Sequence, residues 1–129
     1  MDADKRRLEL NEITEKIIGA AFKVGTALGP GFLEKVYENA LAYELRKMNL
    51  SVLQQHALQV RYDDIIVGDY CADLLIENRV LVELKAVRAF DDIHLAQCLN
   101  YLKATNLSVC LLINFGKPKV EVKRIVHDF

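Results

Sequence analysis

Residues 72–85, Ala-Asp-Leu-Leu-Ile-Glu-Asn-Arg-Val-Leu-Val-Glu-Leu-Lys, form two apolar runs separated by a short polar stretch. Both runs are rich in Val, Ile and Leu, which favour strands. The polar Glu77-Asn78-Arg79 between them is typical of a turn. The segment therefore predicts a β-hairpin with three charged residues in its strands: Asp73, Glu83 and Lys85.

The loop length decides which of these charges meet. If residues 77–79 form a three-residue loop, Ile76 pairs with Val80. Asp73 then lies opposite Glu83, with the two Cβ atoms about 5 Å apart on one face. A two-residue loop would move the register by one position and separate the two carboxylates. The chemistry predicted below depends on the first of these registers.

Two carboxylates at that distance repel each other unless a cation lies between them. Hard oxygen ligands suit Mg²⁺, with Mn²⁺ as a second option, and water and phosphate oxygens would complete its octahedron. Lys85 lies on the same face as Glu83. It could stabilise developing negative charge, or orient and deprotonate an attacking water. The alternative is an ordinary Glu83–Lys85 salt bridge on an exposed strand, with Asp73 as a solvated partner.

The hydrophobic periodicity of the other residues predicts the element order ααβββαββ. The first helix has Asn11 as its N-cap and ends at Gly29-Pro30-Gly31, and Asp91-Asp92 caps the third helix. The second and third helices are predicted at 32–48 and 92–104, and the strands at 52–61, 66–76, 79–88, 108–114 and 120–126. This order predicts one α/β domain over residues 1–129, a mixed sheet flanked by helices.

The composition is that of a globular protein, with 52% hydrophobic and 27% charged residues. No apolar run approaches the roughly 20 residues that span a bilayer, so we expect no membrane partner. The charged N-terminus lacks the apolar core of a secretory signal, so a cytoplasmic location is expected. Cys71, Cys98 and Cys110 show no metal-ligand spacing with the histidines, which predicts reduced thiols and no zinc site.

The charge balance gives no overall sign of nucleic-acid binding, because 17 basic and 18 acidic residues leave a net charge of −1. Basic residues are nevertheless in excess from residue 103 onward. They could contact phosphates or form a solvated face. They are Lys103, Lys117, Lys119, Lys123 and Arg124.

Several motifs together resemble a known family. One motif consists of Asp73, followed after nine residues by Glu83-Leu84-Lys85. This spacing resembles the D…ExK pattern of the PD-(D/E)xK nuclease superfamily. Residues 31–37 (GFLEKVY) are similar to the motif that names the GxxExxY protein family. Residues 97–101 (QCLNY) and 112–116 (LINFG) are similar to later blocks of that family. The resemblance extends from about residue 12 to 126 and implies a restriction-endonuclease-like core.

The resemblance also implies roles by position. Asp73 and Glu83 would be direct metal ligands and Lys85 the catalytic lysine. Glu34, on an early helix, would reach the metal, often through water. Gln97 would project from the later helix toward the same cleft.

Three more residues share helix faces with these. Tyr37 lies three positions after Glu34, and His94 and Tyr101 lie on the same row as Gln97. They are candidates for supporting the site. The alternative is that Tyr37 and Tyr101 are core tyrosines and that the row is a helix edge at the solvent boundary.

This chain departs from the family pattern at two positions. Many relatives carry His where this chain has Gly25, and Arg where it has Cys71. Neither change touches the implied metal ligands. An arginine beside the site would bind phosphate or support an ion pair, and Cys71 can do neither.

Two functions have support in the sequence, whereas a third, a metal enzyme acting on something other than nucleic acid, has no sequence feature behind it. The first is an Mg²⁺-dependent nuclease that hydrolyses phosphodiester bonds in DNA or RNA. The second is a catalytically weak or inactive nuclease-like module that binds nucleic acid or a protein partner. Because one small domain offers a limited footprint, a homodimer or a larger complex is also expected.

Overall fold

The computed structural model describes residues 2–129, and its elements follow the order ααβββαββ. The helices are α1 (Ala3–Leu28), α2 (Glu34–Lys47) and α3 (Asp92–Thr105). The strands are β1 (Val52–Tyr62), β2 (Ile65–Ile76), β3 (Val80–Lys85), β4 (Val109–Asn114) and β5 (Glu121–Val126). The predicted α/β class and element order are confirmed.

Helix α1 begins at Ala3, nine residues before the start that an Asn11 N-cap predicts, so the assignment of Asn11 as its N-cap is wrong. Asp2 is the N-cap, and its Oδ1 accepts a hydrogen bond from Lys5 N at 2.8 Å. The charged residues that follow Asp2 are good helix formers and continue into the apolar stripe. Asn11 lies inside the helix, where its Oδ1 accepts a hydrogen bond from Arg124 at 2.9 Å.

The five strands form one sheet in the order β1-β2-β3-β4-β5. Only β3 and β4 pair in parallel, and helix α3 connects them, as a parallel crossover requires. Helices α1 and α2 cover one face of the sheet and α3 covers the other. Every residue of β4 is buried, as expected of a strand that is covered on both faces.

The two faces differ in how much they bury. The core between the sheet and helices α1 and α2 contains 22 buried residues, and the core beneath α3 contains nine. Because hydrophobic stabilisation scales with buried apolar area, most of it comes from the first layer.

Strands β1 and β2 extend well beyond the rest of the sheet. Strand β2 starts at Ile65, but only Leu74–Ile76 pair with β3. Residues 59–70, called here the outer hairpin, are held by pairing between β1 and β2, with a register shift after Val60. Five large apolar side chains of this segment are exposed: Tyr62, Ile65, Ile66, Val67 and Tyr70.

Within residues 2–129, none of the helices combines the length and the apolar character that a membrane span needs. The three cysteines are unpaired, as predicted, with Cys98 and Cys110 buried and Cys71 exposed.

Candidate active site at the β2–β3 hairpin

The β2–β3 hairpin has the predicted three-residue loop. Ile76 pairs with Val80 and Leu74 with Val82. Glu77 and Asn78 have φ angles of 53° and 54°, a left-handed conformation that lets the chain reverse over three residues. The same register, continued by one position, places Asp73 opposite Glu83.

At that position, side chains replace the backbone ladder. Asp73 N donates a hydrogen bond to Glu83 Oε1 at 2.9 Å. In return, Leu84 N donates to Asp73 Oδ2 at 2.8 Å. Each carboxylate is thus held by a backbone N–H of the opposite strand, which fixes the two acidic groups side by side.

Burial makes this pair electrostatically costly. Glu83 is only 5% exposed, and burial together with the charge of Asp73 raises its pKa to about 8. Burial also raises the pKa of Asp73, although the hydrogen bond from Leu84 N opposes the shift. Without a cation, the site therefore disfavours ionisation of both carboxyl groups, and Glu83 is mostly protonated at neutral pH.

Lys85 follows on the same face of β3 and is half-buried. Its charge lowers the pKa of both carboxyl groups, so it lies close enough to interact with them. Among residues 2–129, however, Lys85 forms no salt bridge. The alternative of a Glu83–Lys85 salt bridge on an exposed strand is therefore wrong, because Glu83 is buried and the ion pair is not formed.

Strand β3 ends at Lys85 rather than at residue 88, because Asn114 binds the segment that follows. Asn114 Oδ1 accepts hydrogen bonds from Val87 N at 3.0 Å and Gly116 N at 2.9 Å, and its Nδ2 donates to Val87 O at 2.9 Å. Phe115 N donates to Lys85 O at 2.8 Å. Asn114 thus fixes the backbone beside the lysine. The sequence feature that could have indicated this role is the position of Asn114, a polar residue at the end of an otherwise apolar strand.

Gly116 takes part in the same contact, and we expect Gly116→Ala to lower the free energy of unfolding by about 2 kcal/mol or more. A Cβ at this position would overlap the backbone of Val87 and Ala86, which cannot move without disturbing Asn114. Urea denaturation measures the effect. Gly19→Ala is the matched control, because a Cβ there meets nothing within 4 Å and alanine favours the helix. Equal stability of the two variants would contradict this packing.

Glu34 lies exposed in the first turn of α2, and its charge is a minor contributor to the raised pKa of Glu83. It therefore lies on the side of α2 nearest the carboxylates but is not part of a compact ligand cluster. In the described part of the chain, no group of three or more His, Cys, Asp or Glu side chains could together hold a metal ion. The role of Glu34 toward a metal stays a prediction.

A second carboxylate of α2, Glu38, also lies near the site, which the sequence did not predict. It is 3% exposed and accepts hydrogen bonds from Gln54 and Gln55, each at 2.7 Å. Gln55 Nε2 also donates to Asp73 Oδ1 at 3.3 Å, so the amide bridges the two carboxylates. Gln55 has a φ of 54°, an unusual angle for a strand residue. The only sequence signal was the polar Gln54-Gln55 pair at the start of β1.

Two of the predicted α3 residues are hydrogen-bonded to each other. Gln97 Nε2 donates a hydrogen bond to Tyr101 OH at 2.8 Å. Burial raises the pKa of Tyr101 to about 12, and the negative charges of Glu83 and Asp73 add to this effect. The Tyr101 side chain therefore lies on the side of α3 that faces the sheet and interacts electrostatically with the carboxylate pair.

The other two supporting candidates stabilise the fold. His94 Nδ1 accepts a hydrogen bond from Asp91 N at 3.1 Å and completes the N-terminal cap of α3. Tyr37 is fully buried in the opposite core and stacks on Phe115 with ring centroids 4.7 Å apart. Its hydroxyl donates to Gly29 O at 2.6 Å. Tyr37 thus joins the turn before α2 to the chain beside Asn114.

The two departures from the family pattern have different surroundings. Gly25 lies against Val120, and any side chain at this position would overlap it, so histidine does not fit this core. Cys71 is exposed on β2, two residues before Asp73.

The basic residues near the C-terminus are spread over several elements. Lys117 pairs with Glu121 at 3.4 Å, and Arg124 lies over the Phe129 ring and donates to Asn11. Lys119 and Lys123 are exposed on the β4–β5 loop and on β5, whereas Lys103 is exposed on α3. Contact of these residues with nucleic acid stays a prediction.

The donor set fits a divalent cation. Asp73 and Glu83 supply adjacent hard oxygens, and Glu83 Oε2 accepts no hydrogen bond from residues 2–129. A cation there would offset the burial and the repulsion from Asp73, which together raise the pKa of Glu83. With two carboxylates only, most of its coordination shell would be water and phosphate oxygen, as Mg²⁺ prefers.

Comparison with known proteins agrees with this geometry. No significant match was found among curated proteins, nor among solved structures. A family model described as the PD-(D/E)XK nuclease superfamily matches residues 11–125. That model does not distinguish the GxxExxY family from the rest of the superfamily, so the finer assignment stays a prediction. Because the match spans most of the chain, the protein belongs to the PD-(D/E)XK nuclease superfamily.

Proposed function

We propose that this protein is a divalent-metal-dependent nuclease that hydrolyses phosphodiester bonds in nucleic acid. The observation that carries the proposal is the buried Asp73–Glu83 pair, two adjacent carboxyl groups whose pKa values are both raised, so that a cation is needed for both to ionise at neutral pH. A buried charge of this kind is stable only when it is paired or binds a metal. Membership of a nuclease superfamily, whose enzymes generally use divalent metals, supports the same conclusion.

Asp73 and Glu83 would hold the cation, Mg²⁺ or Mn²⁺, with Glu34 acting through water. When bound, the cation supplies Lewis-acid polarisation of the phosphoryl oxygens. The hydrogen bonds from Asp73 N and Leu84 N keep one oxygen of each carboxylate in place and leave Glu83 Oε2 free for binding.

Lys85 provides the positive charge of the site. Because it forms no salt bridge in the described residues, its ammonium group is available to stabilise charge that develops on the phosphoryl oxygens. The same group can orient the attacking water. Asn114 and Phe115 hold the backbone at and after Lys85, which limits the positions that its side chain can reach.

Gln97 and Tyr101 would form the wall of the site on the side of α3. Their mutual hydrogen bond orients the Gln97 amide and leaves the phenol proton of Tyr101 available as a donor. With a pKa of about 12, that phenol is protonated at neutral pH and can donate a hydrogen bond to an anionic substrate.

Calorimetric titration of Mg²⁺ and Mn²⁺ tests the metal site. We expect wild-type protein to bind either ion, and Glu83→Ala to bind at least about tenfold more weakly because it removes half of the carboxylate pair. Glu15→Ala, which removes an exposed glutamate from α1, should bind like the wild type. A cleavage screen across single- and double-stranded DNA and RNA follows.

No uptake of either ion by the wild type at millimolar concentrations would contradict the proposed nuclease. The protein would then be a catalytically inactive module that binds nucleic acid or a protein partner. We further propose that the protein acts in the cytoplasm. We also propose that it acts as a homodimer or in a larger complex, because one domain of this size covers a short length of nucleic acid.

A further inference from the structure

A groove of about 930 Å³ runs between the outer hairpin and helix α3. Its apolar surface comes from Val67 and Tyr70 of β2 and from Ile93 of α3. Tyr70 and Ile93 are 50% and 69% exposed, respectively, so both side chains are accessible from solvent. The groove is thus built by the part of the hairpin that extends past the rest of the sheet.

The groove and the carboxylate pair lie on the same face of the sheet. Leu75 and Leu81 pack with Tyr101 beneath α3, and strand alternation places Asp73 and Glu83 on that face. Tyr101 and Gln97 line the groove, and the charges of Glu83 and Asp73 act on the Tyr101 hydroxyl. The rings of Tyr70 and Tyr101 lie 5.9 Å apart between centroids, so the exposed aromatic side chain of the outer hairpin lies next to the buried tyrosine of α3.

The polar groups of the groove suit nucleic acid. Gln59 and Asn100 offer amide donors and acceptors, which match the edges of bases. Arg61 and Lys103 are the charged residues that line the groove, both positive, and no carboxylate lines it. The groove is therefore basic, although the whole chain has a net charge of −1.

We propose that this groove binds a single-stranded segment of nucleic acid and leads it to Asp73 and Glu83. This inference rests on the proposed nuclease function and specifies its substrate class. Proteins that bind single strands stack unpaired bases on aromatic side chains and contact the backbone with a few cations. Duplex binding relies instead on many phosphate contacts, for which two basic residues are too few. The substrates are thus single strands or duplexes with unpaired ends.

Fluorescence anisotropy tests this assignment with labelled 16-nucleotide DNA, either single-stranded or as a duplex of the same sequence. The measurement is made in EDTA, which removes divalent metal and so prevents cleavage. We expect wild-type protein to bind the single strand at least about tenfold more tightly than the duplex. Tyr70→Ala should weaken single-strand binding about tenfold because it removes a stacking surface. Lys103→Glu should weaken it to a similar degree and reduce its salt dependence.

Matched controls exclude general effects of the substitutions. Tyr62→Ala removes an exposed tyrosine of the same hairpin that does not line the groove, and Lys16→Glu reverses an exposed lysine of α1. Both should bind the single strand within about twofold of wild type. Because Tyr70 and Lys103 lie on the surface, circular dichroism and thermal melting should show both groove variants folded.

The outcomes separate this inference from the proposed function. Three results would overturn the groove assignment, even if the protein cuts DNA. The wild type could bind duplex as tightly as the single strand or more tightly, or it could fail to bind the single strand. The third result is that the two groove variants bind the single strand as their controls do. Conversely, loss of single-strand binding in Tyr70→Ala and Lys103→Glu alone supports the groove, even if the wild type takes up no metal and the nuclease proposal fails.

Discussion

Replacing Lys85 with alanine is expected to lower the rate of phosphodiester cleavage by about 10²- to 10⁴-fold, the range for loss of a positioned charge or acid–base group. Metal affinity should change little, because Asp73 and Glu83 are intact. Single-turnover cleavage and calorimetry together measure the two effects.

The split between rate and metal affinity is what identifies Lys85 as a catalytic group. Lys16→Ala, on the exposed side of α1, should cleave at the wild-type rate. Lys85→Arg keeps the charge but replaces a compact ammonium with a planar guanidinium, so it should recover part of the rate only if charge rather than proton transfer dominates. Unchanged cleavage by Lys85→Ala would remove the lysine from the mechanism.

Glu83→Gln should make the metal-free protein more stable at alkaline pH. The pKa of Glu83 is about 8 in the folded protein and 4.5 in its unperturbed state. A carboxyl group with a raised folded-state pKa favours folding below the unfolded pKa, and this stability is lost as pH rises through the folded pKa. The free energy of unfolding of the wild type should therefore fall between about pH 4.5 and pH 8.

Glutamine keeps the hydrogen bond from Asp73 N but cannot ionise, so the variant should lose most of this pH dependence. Above pH 8 it should be more stable than the wild type by at most about 5 kcal/mol, whereas near pH 4.5 the two should be similar. Urea denaturation across this range in EDTA measures the difference. Glu15→Gln should follow the wild-type curve, because Glu15 is exposed.

Addition of Mg²⁺ should reverse the order of stability at pH 8. A ligand that binds only the folded state stabilises it by mass action, and Glu83→Gln has lost one of the two carboxylates. A wild-type curve that stays flat from pH 4.5 to 8 would show that the carboxylates are hydrated rather than buried together.

The β2–β3 hairpin and the element order could be predicted from the sequence because both depend on local patterns. A three-residue polar loop determines that Ile76 pairs with Val80, and the strand alternation then places Asp73 opposite Glu83. The helix start at Asp2 was missed because the hydrophobic stripe begins only at Leu10, and charged residues before a stripe do not by themselves show where a helix starts.

The contacts around the carboxylates could not be predicted, because they join residues that are distant in sequence. Glu38 follows Tyr37 on an ordinary amphipathic helix, and its burial depends on Gln54 and Gln55 of another element. His94 lies on the same helix row as Gln97, but its ring accepts a hydrogen bond from the backbone N–H of Asp91. Helical spacing predicts the helix face on which a residue lies, but it does not predict which residue its side chain contacts.

The unequal cores on the two faces of the sheet have a consequence for how this protein can diverge. Helices α1 and α2 provide most of the buried apolar surface, whereas Lys85, Gln97 and Tyr101 lie on the side covered by α3 alone. Exposed positions of α3 and of the outer hairpin can therefore change with little loss of folding free energy. Selection, or laboratory evolution, can alter substrate preference there while the opposite layer preserves the fold.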